Sequence, residues 1–167
     1  DLRRQLQNAP GTLSSEGPGV KQIGDVTVRV HPELELPSDH EDDRVLSGFI
    51  GNAAFIVVAD GATETQLPDG TSIFGQGKDA AQVAVEFALS YLKARMTDAM
   101  SSDEVQALLR QAIQAGIDEM KRNNVQGTTT FQFMLLREGP DGIFWHVASH
   151  GNGYASIMTP REGTRPR

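Results

Sequence analysis

The stretch "FIVVADGATE", residues 55 to 64, constrains the fold more than any other part of the chain. Phe55, Ile56, Val57, Val58 and Ala59 form an unbroken apolar run, which predicts a strand buried on both faces at the centre of a sheet. The run stops on Asp60 and Gly61. Asp-Gly is a common turn dipeptide, and a simple hairpin turn is one reading of it. The continuation "ATETQLPDGTSIFGQGKDAAQVA" does not resume as a strand two residues later, so a polar, glycine-rich loop leading into a helix is expected instead. In that reading a rigid strand delivers a carboxylate to a loop rim, a position often used for metal or substrate chemistry.

The rest of the chain supplies partners for that strand. With 167 residues there is room for one domain with a real core. Residues 1 to 19 are polar and read as a flexible tail, residues 20 to 159 as the folded domain, and residues 160 to 167 as a polar, basic tail. "VKQIGDVTVRV" alternates as one or two short strands, and "RVLSGFIG" pairs with the apolar run across Gly51-Asn52. From Lys78 to Met96 the apolar residues recur at helical spacing. A second helix from Ser101 to about Arg122 opens on the capping-box pair Ser101 and Glu104, and the short linker makes the two an antiparallel hairpin. "GTTTFQFMLLRE", "GIFWHVASH" and "GYASIMT" then read as a meander of three strands. The sum is an α+β domain, helices layered on a mostly antiparallel sheet.

Composition removes several function classes. Asp and Glu number 22 against 15 Lys and Arg, and the formal charge of −7 gives a nucleic-acid surface no electrostatic support. No cysteine is present, which excludes disulfides, zinc–thiolate sites and thiol catalysis. With four His, a metal site would be mainly oxygen-ligated, favouring magnesium or manganese. No apolar run reaches the roughly 18 residues of a membrane span, and the first residues lack the apolar stretch of a signal peptide, so a cytoplasmic protein is expected. Beginning on Asp1 rather than Met and ending on "TPREGTRPR", the chain reads as a piece of a longer one.

Three short constellations carry candidate chemistry: Glu41-Asp42-Asp43-Arg44 before a strand, Asp60-Gly61 after one, and Gly127-Thr128-Thr129-Thr130 where the second helix gives way to a strand. Taken singly, the first reads as a solvated acidic loop, the second as a turn, and the third as a helix C-cap followed by β-branched strand starters. Their order, with two helices between the second and third and "HVASHGNGYASI" after them, resembles the N-terminal two-thirds of the metal-dependent serine/threonine phosphatases of the 2C class, over residues 20 to 159.

That resemblance implies a β-sandwich flanked by an antiparallel helix pair, and hydrolysis of phosphoserine or phosphothreonine proteins by a water activated between two Mg2+ or Mn2+ ions. Asp60 would bridge the metals, the Gly61 carbonyl would ligate one, and Glu41 and Asp42 would hold metal-bound waters. Pro37 occupies the position of the family's phosphate-gripping arginine, for which Arg29 or Arg44 could substitute. Asn152 stands at the turn where many relatives carry a metal-binding aspartate. Two further acidic motifs of the family are absent, leaving the two-metal site incomplete within the chain. These departures keep open a second expectation, a pseudophosphatase serving as a protein-binding or regulatory module.

Overall fold

The computed structural model describes residues 15–31, 42–62, 64–74 and 76–151. In chain order the strands before the helices are β1 (Ser15–Glu16), β2 (Gly19–Ile23), β3 (Val26–Val30), β4 (Arg44–Ile50), β5 (Ala53–Gly61), β6 (Glu64–Gln66) and β7 (Ser72–Phe74). The helices α1 (Gly77–Arg95) and α2 (Ser102–Arg122) follow, and β8 (Thr129–Gly139) and β9 (Gly142–His150) close the described chain.

The architecture is α+β, as expected. One antiparallel sheet runs in the order β1-β4-β5-β8-β9, which puts the apolar run of β5 at its centre. Two-residue connections at Gly51-Asn52 and Pro140-Asp141 link β4 to β5 and β8 to β9, with Gly51 at φ 55 supplying the left-handed backbone such a turn needs. The helix pair covers one face: Phe55, Val57 and Ala59 of β5 and Phe131, Phe133 and Leu135 of β8 pack with Ala84, Ala88, Leu92, Leu109 and Ala112. Phe133 is fully buried, with its ring centroid 6.2 Å from that of Phe55 and 6.4 Å from that of Phe131. The two helices approach closely because small residues face each other; a Cβ on Gly116 would lie 2.6 Å from the Ala84 carbonyl oxygen.

The helix termini follow their capping chemistry. Ser101 Oγ accepts from the Glu104 N–H at 3.3 Å and the Ser101 N–H donates to Glu104 Oε2 at 2.8 Å, completing the expected capping box. The latter bond holds the Glu104 carboxyl below its ordinary pKa. At the other end of α2 the left-handed residue is Asn124, φ 55, not Gly127. The expected glycine C-cap is therefore corrected: Asn tolerates this conformation, and it ends the helix earlier.

Three more expectations need correction. The loop after Gly61 contains the β6–β7 hairpin, turning at Pro68-Asp69-Gly70, where Leu67 N–H donates to the Thr71 carbonyl at 2.7 Å and Thr71 N–H to Asp69 Oδ1 at 2.9 Å. That bond lowers the Asp69 pKa. The stretch read as a tail contributes β1, which pairs with β4 through Ser15↔Ile50 and Glu16↔Phe49. Finally, β5 is not buried on both faces: its residues alternate, and Ile56 and Val58 on the face away from the helices are 40% and 37% exposed. The β2–β3 hairpin covers that face at the end carrying Phe49, Ala54 and Leu136, where it inserts Ile23 and Val30. Among the described residues nothing covers Ile56 and Val58. "GYASIMT", expected as a third meander strand, lies outside the described residues.

Among the described residues, the polar side chains buried in the sheet are those of Arg137 and His146. Arg137 donates from Nη1 to the Met100 carbonyl at 2.8 Å and from Nη2 to the Asp98 carbonyl at 2.9 Å, so β8 grips the loop between the helices. A charged guanidinium is tolerated here because backbone oxygens satisfy its fork of donors. His146, expected as a strand-face residue, is pushed below its ordinary pKa of 6.5, first by burial and then by the Arg137 charge. Below that pH the unfolded chain takes up a proton at His146 that the folded chain resists, so folding stability falls as the pH drops below 6.5. Denaturant midpoints measured from pH 7.5 to 5.5 should decline, and His146→Gln should flatten the decline relative to the parent chain.

Candidate functional site

The three constellations singled out in the sequence converge on one end of the sheet. β5 ends there, β4 and β8 begin there, and the registers Arg44↔Ala59, Asp60↔Thr130 and Gly61↔Thr129 set them side by side. β9 arrives at the same end, with His150 opposite Phe131. The start of α1 closes the group: a Cβ on Gly61 would meet the Asp42 carbonyl oxygen and would lie 2.5 Å from that of Gly77, while one on Gly77 would meet the Ala62 carbonyl. Gly127 is pressed in the same way against the Gln76 carbonyl. The backbones of the acidic segment, the strand end, the helix start and the "GTTT" strand are thus in direct contact, and only glycine permits it.

Hydrogen bonds hold the junction. Ala62 N–H donates to the Thr128 carbonyl at 2.9 Å, extending the β5–β8 pairing past Gly61. Thr129 Oγ1 donates to the Asp60 carbonyl at 3.0 Å and to its neighbour Thr130's carbonyl at 2.8 Å. The hydroxyl of Thr129 is therefore engaged with backbone.

Asp60 itself stands on the sheet face away from the helices, in line with Ile56 and Val58, and its side chain is exposed. Among the described residues its carboxylate has no hydrogen-bond or ion-pair partner. Asp42 is half-buried just before β4, its carbonyl against Gly61. Of the arginines considered for a phosphate, Arg44 begins β4 at this end, with Nη1 donating to the Asp43 carbonyl at 2.6 Å. Arg29 belongs to the β2–β3 hairpin, which packs over the opposite end of the sheet. Glu41, Pro37 and Asn152 lie outside the described residues.

The donors suit a hard divalent cation, since they are oxygen groups alone. Among the described residues no three His, Cys, Asp or Glu side chains come together as a metal-ligand group. Among the described residues no helix is long and apolar enough to cross a membrane. No family model, no curated protein and no solved structure matches the chain.

Gly77 is passed over in the sequence as a loop residue, and Gly127, singled out with the three threonines after it, reads at its plainest as a helix cap. Their role is visible only once the helix start is seen against the strand end. A methyl group on Gly61 would have to displace backbone on two sides, so Gly61→Ala should lower the unfolding free energy by about 1–3 kcal/mol in a urea titration. Asp60→Asn, at an exposed side chain one residue earlier, should change it by less than about 0.5 kcal/mol.

Proposed function

We propose that the chain is a phosphatase 2C-like domain, or the larger part of one, that hydrolyses phosphoserine or phosphothreonine proteins in the cytoplasm with Mg2+ or Mn2+. The observation that carries this reading is the clasp of Asp42 against Gly61. It brings the acidic segment and the strand-end aspartate, which the resemblance assigns to one metal site, to adjacent positions from separate strands. Asp60 would hold the metal pair with help from the Gly61 carbonyl, and Glu41 and Asp42 would hold its waters. The metals, when bound, would supply an acidified water as nucleophile and neutralise phosphoryl charge. The chain's own part is to hold the Asp60 carboxylate still, through central-strand pairing and glycine contacts, and to leave it facing outward where a phosphoryl group can approach.

The uncovered half of the sheet supports the finer fold of this reading. Ile56, Val58 and Trp145 are large apolar side chains left exposed, Trp145 at 45%. Ile56 is paired in register with Met134, and Met134 with Val147, so these apolar residues continue across three strands. Their burial under a second sheet would complete the β-sandwich that the resemblance implies.

The test is hydrolysis of a chromogenic phosphomonoester and a phosphothreonine peptide by the longest natural form of the protein, with and without manganese. The expected result is manganese-dependent turnover that Asp60→Asn reduces by roughly 100-fold or more, the scale of losing a group that acts on the transition state. Turnover that is metal-independent, or unaffected by Asp60→Asn, overturns the proposal. A folded protein that neither binds manganese calorimetrically nor turns over substrate replaces it with the pseudophosphatase reading.

A further inference from the structure

We propose that the cleft between α2 and β9 binds an extended, acidic segment of a protein partner. The cleft measures about 410 Å³. One wall is a single stripe of α2 from Gln106 to Ile117, and the other is the last turnless stretch of β9, Val147 to His150. Gln106 Nε2 donates to the Val147 carbonyl at 2.8 Å and fixes the helix alongside β9, the last strand of the sheet among the described residues.

The lining has a consistent chemistry. Arg110 and His150 are exposed, and Ile113 and Ala148 form a buried apolar floor. Among the described residues no Asp or Glu lines the cleft, the nearest α2 carboxylate shown being Asp118, which accepts from the lining Gln114 at 2.9 Å, while the chain as a whole has a formal charge of −7. Among the described residues the Arg110 guanidinium has no ion-pair partner. A groove whose charged lining side chain among the described residues is Arg110, on an otherwise acidic molecule, is complementary to a negatively charged segment. The stripe of α2 spans roughly 16 Å at the helical rise, the length of about five extended residues. A strand-like segment alternating acidic and apolar side chains would set its carboxylates toward Arg110 and His150 and its apolar groups on the floor. An isolated small anion would leave that floor unused.

The inference goes beyond the phosphatase reading and does not rest on it. The probe is a fluorescein-labelled peptide of repeating Glu-Val, titrated with the full chain in EDTA, so that loss of metal-dependent hydrolysis leaves the readout untouched. Saturable binding is expected, weakened about tenfold or more by Arg110→Glu and by His150→Glu from the opposite wall, and kept by Arg110→Lys. Both altered positions are exposed, and circular dichroism establishes that the variants fold. Absence of binding, equal affinity in Arg110→Glu, or equal binding of a Lys-Val peptide overturns the proposal. So does full displacement by inorganic phosphate at the peptide's own concentration, which would mark a small-anion site.

Discussion

The contact on which the rest of the arrangement depends is made without side chains. At Gly61, Gly77 and Gly127 the main chain of one element lies directly on the carbonyl of another, closer than any Cβ would allow. This fixes the end of β5 against the start of α1, and the entry to β8 against the residue preceding that helix. A carboxylate carried on such a junction inherits its position from the backbone, whose two soft dihedrals per residue are already committed to strand pairing. The Asp60 backbone is thereby fixed, while its exposed carboxylate has no hydrogen-bond or ion-pair partner among the described residues.

Much of this fold was legible because its periodicities are long. The helices, at 19 and 21 residues, repeat their apolar positions over several turns, and the Ser101 and Glu104 pair marks the start of the second one residue before it begins. The β6 and β7 strands, three residues each, are too short for any alternation to register, and a polar stretch around Pro68 reads as loop. The uniform apolar character of β5 misled in a different way. An apolar side chain records what a position is suited to face, not whether the described part of the chain supplies the cover, so Ile56 and Val58 read as buried and stand exposed. For the candidate site, the sequence identified Asp60, Gly61 and Asp42, but their adjacency is a tertiary fact: the carbonyl of Asp42 meets Gly61 only because β4 returns antiparallel to β5.

The sheet has two unlike surroundings and one shared end. Behind it, the helix pair builds the core; in front, apolar residues are half covered by a hairpin. The cleft beside α2 and the exposed Asp60 lie at the same end of the sheet but on opposite faces, since His150 pairs with Phe131 next to Thr130, and Thr130 pairs with Asp60 on the side away from the helices. With strands about 4.8 Å apart, β9 and β5 are separated by roughly 10 Å.

Arg137 gives the helix pair an unusual fastening. Its guanidinium takes the carbonyls of Met100 and Asp98 in the bend between α1 and α2, far along β8 from the glycine junction that pins the start of α1. The hairpin is consequently tied down at both extremities, like a beam with two clamped supports. Neither helix can lift from the sheet alone without uncovering a buried cation or tearing the packed glycines apart. Amide protons in the two helices should therefore exchange with solvent through one shared opening event and not through two independent ones.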